Sequence, residues 1–150
     1  MTQASLFPET QEMAIARLDS QILDLMLGHN GGPLGLTLEE DEKSVLRAIR
    51  YMRGVRNAIT IAELQKITNL SPREIKKSVR TLRMSFQLPI GSSKHSERGG
   101  YFLIISAEDR SVWVGDVLDQ VRAELAVLRA AAGPQATLEL LGQLRAEVMQ

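Results

Sequence analysis

"SPREIKKSVRTLR" (residues 71–83) decides both how this chain folds and what its surface is for. Ile75, Val79 and Leu82 stand at i, i+4 and i+7, which defines one apolar face of a helix. Ser71 followed three residues later by Glu74 fits a capping box, and Pro72 suits the first helical position. The pattern predicts a helix over 72–85. At about 100° per residue, Arg73, Lys76, Lys77 and Arg80 point away from the apolar face, with Arg83 at its margin. A basic face of this kind is either an ordinary solvated surface or one offered to a polyanion, and the flanking sequence must decide.

Upstream, the capping pattern repeats. Thr37 with Glu40 and Thr60 with Glu63 have the same spacing as Ser71 with Glu74. They predict a helix over 38–54 that buries Leu38, Val45, Leu46, Ile49 and Met52 and stops near Gly54. A shorter helix follows over 61–68, with Ile61, Leu64 and Ile67 inward. "TNLS" then makes a tight turn into the basic helix. Downstream, Pro89 ends helical structure. Leu88 and Ile90 begin a strand, "GSSKHSERGG" forms a polar loop, and "YFLII" returns as a second strand. The result is a hairpin with a basic tip at Lys94, His95 and Arg98.

The ends read as helices. Residues 8–27 form an amphipathic one, with Met13, Ala16, Leu18, Ile22, Leu25 and Met26 at helical spacing; "GHNGGP" closes it with a left-handed cap at Gly28. Ser106 caps a long helix over 107–131. Within it Val114, Leu118, Val121, Leu125 and Leu128 alternate four and three apart, the seam of a coiled coil. "AAGP" breaks it, and a last helix begins at Thr137. This organisation divides the chain into an N-terminal arm and hinge (1–34), a central domain (35–106) and a C-terminal helical segment (107–150).

Length and composition set bounds. The chain has 150 residues, enough for one ordinary domain, and its 24% charged and 44% hydrophobic residues are those of a globular protein. Aromatics are few, so Leu, Ile, Val and Ala must build the core. There is no cysteine, which excludes disulfides, thiolate metal sites and cysteine nucleophiles and suits a cytoplasmic location. No secretory leader and no membrane-spanning apolar run is visible. The net charge is zero but unevenly placed. Residues 1–42 are acidic apart from Arg17. From Lys43 to Arg98 basic residues dominate, and beyond Ser106 acids prevail again. A basic middle between acidic ends is the footprint of a nucleic-acid surface.

Three helices, a tight turn between the second and third, and then a hairpin make up the order of parts in a winged helix-turn-helix. The stretch "ITIAELQKITNLSPREIKKSVRTLR" resembles that superfamily. Ala62 and Leu64 match the first motif helix, Leu70 and Ser71 the turn, and Ile75, Val79 and Leu82 the buried face of the recognition helix. More narrowly, "LPIGSS", "GGYFLI" and "GHNGGP" are similar to segments of small winged-helix proteins from phages and prophages. The resemblance implies a mostly α (α+β) fold, with flanking helices added to the three helices and hairpin.

It also implies double-stranded DNA as the partner and transcriptional regulation as the role, with replication-origin binding as an alternative. The recognition helix would lie in the major groove. Arg73, Lys76 and Lys77 would then read base edges, and Arg80 and Arg83 would hold phosphates. Lys94, His95 or Arg98 would meet the flanking backbone or minor groove, and Ser71 with the helix amides a further phosphate. From a different class, a winged helix can also serve as a protein-docking adaptor. The seam residues Val114, Leu118, Val121, Leu125 and Leu128, with Trp113 as a core or interface anchor, point to a homodimer.

Other chemistries find little support. "LEEDEK" places acids at a helix start, where the dipole favours them, and is no metal site. His29 and His95 lack partners at metal-ligand spacing. Neither glycine-rich stretch matches a phosphate loop or dinucleotide fingerprint. No nucleophile–base arrangement is present, so no enzyme, no metal and no cofactor is expected. Whether a small-molecule effector acts on the protein cannot be read from these residues.

Overall fold

The computed structural model describes residues 10–28, 35–94 and 99–150. Pro8, His29, His95 and Arg98, and with them the glycine-rich hinge and the tip of the hairpin, lie outside the described residues. The chain divides into two compact units, residues 1–113 and 114–150. Among the described residues the fold is mostly helical, with a single two-stranded antiparallel hairpin.

In the first unit, α1 spans Gln11–Leu27. Thr10 caps it by accepting from the Met13 N–H at 3.2 Å, and Gly28 ends it in the left-handed region at φ 75. Its first turn faces outward; Leu18, Ile22 and Leu25 are buried. These three side chains enter the same core as the helices that follow. Arg53 adds a two-oxygen contact to Asp19 at 2.7 Å. The segment expected to be a separate arm is therefore part of the first unit, because its apolar stripe is used within it.

α2 spans Glu40–Ile49 and differs from expectation at both ends. Its cap is Glu39, not Thr37, and Glu42, not Glu40, folds back to accept from the cap N–H at 2.8 Å. Leu38 is buried, so the chain stays extended until that side chain is seated. At the other end the helix stops at Ile49, short of Gly54. The Met52 carbonyl accepts from Leu103 and the Gly54 N–H donates to the Leu103 carbonyl, at 2.7 and 2.9 Å. Residues that propensity alone would leave helical instead cover the edge of the hairpin, which would otherwise expose unpaired backbone groups.

A 3-10 turn at Val55–Asn57 leads to α3, Ile61–Thr68, whose capping box from Thr60 to Glu63 is complete. Leu64 is fully buried, but Ile67, expected inward, is 63% exposed. α3 has only two turns and packs on two neighbours, and the arc it buries centres on Leu64. Asn69, at φ 58, ends α3 in a left-handed cap. The Thr68 hydroxyl bridges this turn by donating to the Leu64 carbonyl and accepting from the Leu70 N–H. α4, Pro72–Met84, begins at once with its own complete capping box from Ser71 to Glu74.

β1 (Ile90–Ser93) and β2 (Gly100–Leu103) pair antiparallel, with Ile90 opposite Leu103 and Ser93 opposite Gly100. The second strand ends at Leu103, before the two isoleucines assigned to it. The core joins Val45, Leu46 and Ile49 of α2, Leu64 of α3, Ile75, Val79 and Leu82 of α4, and Phe86, Leu88, Ile90 and Leu103 around the hairpin. Leu and Ile supply most of that volume, as the shortage of aromatics required.

α5 spans Ala107–Val148, starting in the first unit and continuing through the second. Ser106 caps it, accepting from the Asp109 N–H at 3.1 Å. A single non-helical residue, Gly133 at φ 90, interrupts it. The helix resumes at Pro134 and not, as expected, at Thr137, because proline is compatible with the first position of a helical segment. No helix among the described residues is long and apolar enough to cross a membrane.

Candidate nucleic-acid interface

α4 owes its orientation to the side chains it buries. Ile75, Val79 and Leu82 are essentially without solvent contact, and Ser78, on the same side, is buried too. Packing against α2 and α3 consequently turns the opposite face outward. Arg73, Lys76, Lys77 and Arg80 are all exposed. Among the described residues, none of the four has an ion-pair or hydrogen-bond partner. Long cationic side chains standing free on one short helix can donate to phosphate oxygens or to the acceptor edge of guanine.

Three other cations of the basic middle are engaged within the protein. Arg53 is held by Asp19. Arg50 lies over the Tyr51 ring at 4.7 Å and reaches the Met26 sulfur. Lys43 sits 3.5 Å from Glu40. The charge asymmetry of the sequence is thus thinned by folding, and what remains free on α4 is its outer face.

Arg83, expected at the edge of that face as a phosphate contact, is directed inward. Its Nε donates to the Ile90 carbonyl at 2.7 Å, and its guanidinium lies 4.5 Å from the Trp113 ring and 5.6 Å from that of Tyr101. Burial lowers the Arg83 pKa, and the nearby Tyr101 partly offsets this. Burial also raises the Tyr101 phenol, which the neighbouring cation pulls back. The Arg83 Nη2 is buried and has no hydrogen-bond partner among the described residues. Arg83 therefore ties the end of α4 to β1, β2 and the start of α5 and is a structural residue. Arg83→Ala is expected to cost about 1–3 kcal/mol by removing a charged donor and orphaning the Ile90 carbonyl. Urea unfolding would measure the loss, and the fluorescence of Trp113 should change with it.

Ser71 is also occupied. Its hydroxyl accepts from the Glu74 N–H at 3.2 Å, and its own N–H donates to the Glu74 carboxylate at 2.7 Å. That backbone hydrogen bond, reinforced by the Ser71 hydroxyl, holds the Glu74 carboxyl below its usual pKa. A carboxylate seated at the start of α4 repels a phosphate arriving there, so Ser71 positions the helix and makes a poor anion site.

Lys94 is exposed one residue beyond β1. Trp113, grouped by sequence with the seam, stacks on Arg83 within its own unit. Asp109 went unnoticed in the sequence. Its buried carboxylate accepts from the Val55 N–H at 3.0 Å and the Ile105 N–H at 3.1 Å, locking the hairpin edge to the first turn of α5. Only its place in a helix start after a strand hinted at this. Among the described residues no cluster of three or more His, Cys, Asp or Glu could hold a metal ion. No family model, no curated protein and no solved structure matches the chain.

Proposed function

We propose that residues 35–106 form a winged helix-turn-helix that binds double-stranded DNA sequence-specifically, in transcriptional control in a bacterium or phage. The observation that carries this is the face of α4. Four cations stand exposed and unengaged, opposite a fully buried apolar side, on the second of two helices joined by a tight turn. The hairpin that follows occupies the place of a wing. Arg73, Lys76 and Lys77 reach base edges, Arg80 and Lys94 hold phosphates, and Arg83 braces the helix from behind. Replication-origin binding would use the same surface. The protein works inside the cytoplasm as a homodimer joined through the seam of α5, which sets half-sites one or more DNA turns apart.

Salt dependence separates DNA binding from protein docking. If about four to six phosphates are neutralised, log K falls against log salt with a slope of about −4 to −5. Arg73→Ala or Lys77→Ala is expected to cost about 1–3 kcal/mol on a preferred site and to relax base preference there. Lys94→Ala should weaken all duplexes alike. A flat salt response would instead favour the adaptor role.

A further inference from the structure

We infer that Val114–Leu128 of α5 pairs with the same residues of a second copy of the chain, parallel and in register. The inference deepens the self-association proposed above and rests on it. From residue 114 to 150 no side chain is buried, so this unit has no core of its own. A helical segment of that length without a core does not offset the entropy of ordering it. Val114, Leu118 and Val121 are 53%, 43% and 45% exposed along one stripe, and Leu125 and Leu128, both half-buried, continue it. Covering such a stripe is the main force available to hold the unit together.

Charge selects the occupant and its direction. The spacing puts Leu118 and Leu125 at a positions and Val114, Val121 and Leu128 at d. Glu124 then falls at g, and Arg122 and Arg129 at e. In a parallel pair each g residue lies beside the e residue five positions later on the other helix. Glu124 therefore meets Arg129 of the partner subunit, and two-fold symmetry makes the contact twice. Among the described residues of its own chain neither Glu124 nor Arg129 has an ion-pair partner, whereas Arg122 is near Asp119 at 3.7 Å. An antiparallel pair sets e against e and g against g, which brings arginine toward arginine and leaves Glu124 without a cation.

Leucine at a with valine at two of the three d positions shifts the preference toward more than two strands; the direction of pairing is the same in either case.

The natural chain has no cysteine, which makes the test clean. Val114→Cys and Leu128→Cys, prepared separately and mildly oxidised without DNA, should each form a covalent homodimer. An antiparallel register can bring at most one of these positions close to its own copy. Crosslinking of only one variant, or of neither, would overturn the proposal. In parallel, Glu124→Arg should weaken self-association roughly tenfold by sedimentation, and adding Arg129→Glu should restore it. Unchanged association in the single variant, or no rescue in the double, would also overturn it. Neither measurement involves DNA, so this proposal and the assignment of α4 fail independently.

Discussion

Gly100→Ala is expected to lower folding stability by about 3 kcal/mol or more. Gly100 opens β2 at φ 107, in the region that side chains rarely adopt. A Cβ there would run into the Ile59 carbonyl and approach the Thr60 Cα. The approach is close because Ile59 and Tyr101 exchange two backbone hydrogen bonds, both 2.8 Å. Thr60 is also the cap of α3, so any displacement reaches the start of that helix. Urea unfolding would show a lower midpoint with little change in slope if the hairpin edge yields locally. An alanine variant as stable as the natural protein would contradict this close backbone approach.

Reversing the charge of Arg73, Lys76, Lys77 and Arg80 together to glutamate is expected to reduce duplex affinity by on the order of 10³-fold or more at physiological salt. Each lost cation removes a counterion-release contribution, and each new carboxylate repels phosphate. The fold should survive, because all four side chains are exposed and make no internal ion pair. Circular dichroism and a urea titration would establish that, and fluorescence anisotropy with a labelled duplex would report the affinity. Arg83 serves as the contrast. It lies on the same helix, but its loss should be felt first in stability.

Much of the first unit was legible because its local signals agree. The capping boxes at Thr60 and Ser71, Pro72 at the start of α4, and the buried face of Ile75, Val79 and Leu82 all point to the elements found. The hairpin followed from Pro89, the polar loop and the strand-forming run after it. Where local and tertiary preferences diverged, the tertiary ones prevailed. Thr37 has the right spacing for a cap, but burial of Leu38 moves the helix start to Glu39 and Glu40. Residues 50–54 look helical, yet β2 needs an edge partner and takes their backbone groups.

The outer face of α4 could be read by wheel arithmetic, since four cations and three aliphatics suffice to fix a direction. Arg83 could not. Near the boundary between faces, a shift of one side chain decides between solvent and interior, and the rings of Tyr101 and Trp113 lie far off in sequence. The engagement of Arg53 by Asp19 is equally non-local. Counting basic residues along the chain therefore overstated the free positive charge, while the wheel put Arg73, Lys76, Lys77 and Arg80 on the face of α4 that is exposed.

The most direct test is selection of duplexes from sheared genomic or randomised DNA by the purified protein. The expected result is enrichment of a defined sequence, bound by the natural protein and lost on the four-glutamate variant of α4. If folded protein enriches no duplex above background, or the variant selects as well as the natural chain, the assignment of this face to DNA is contradicted.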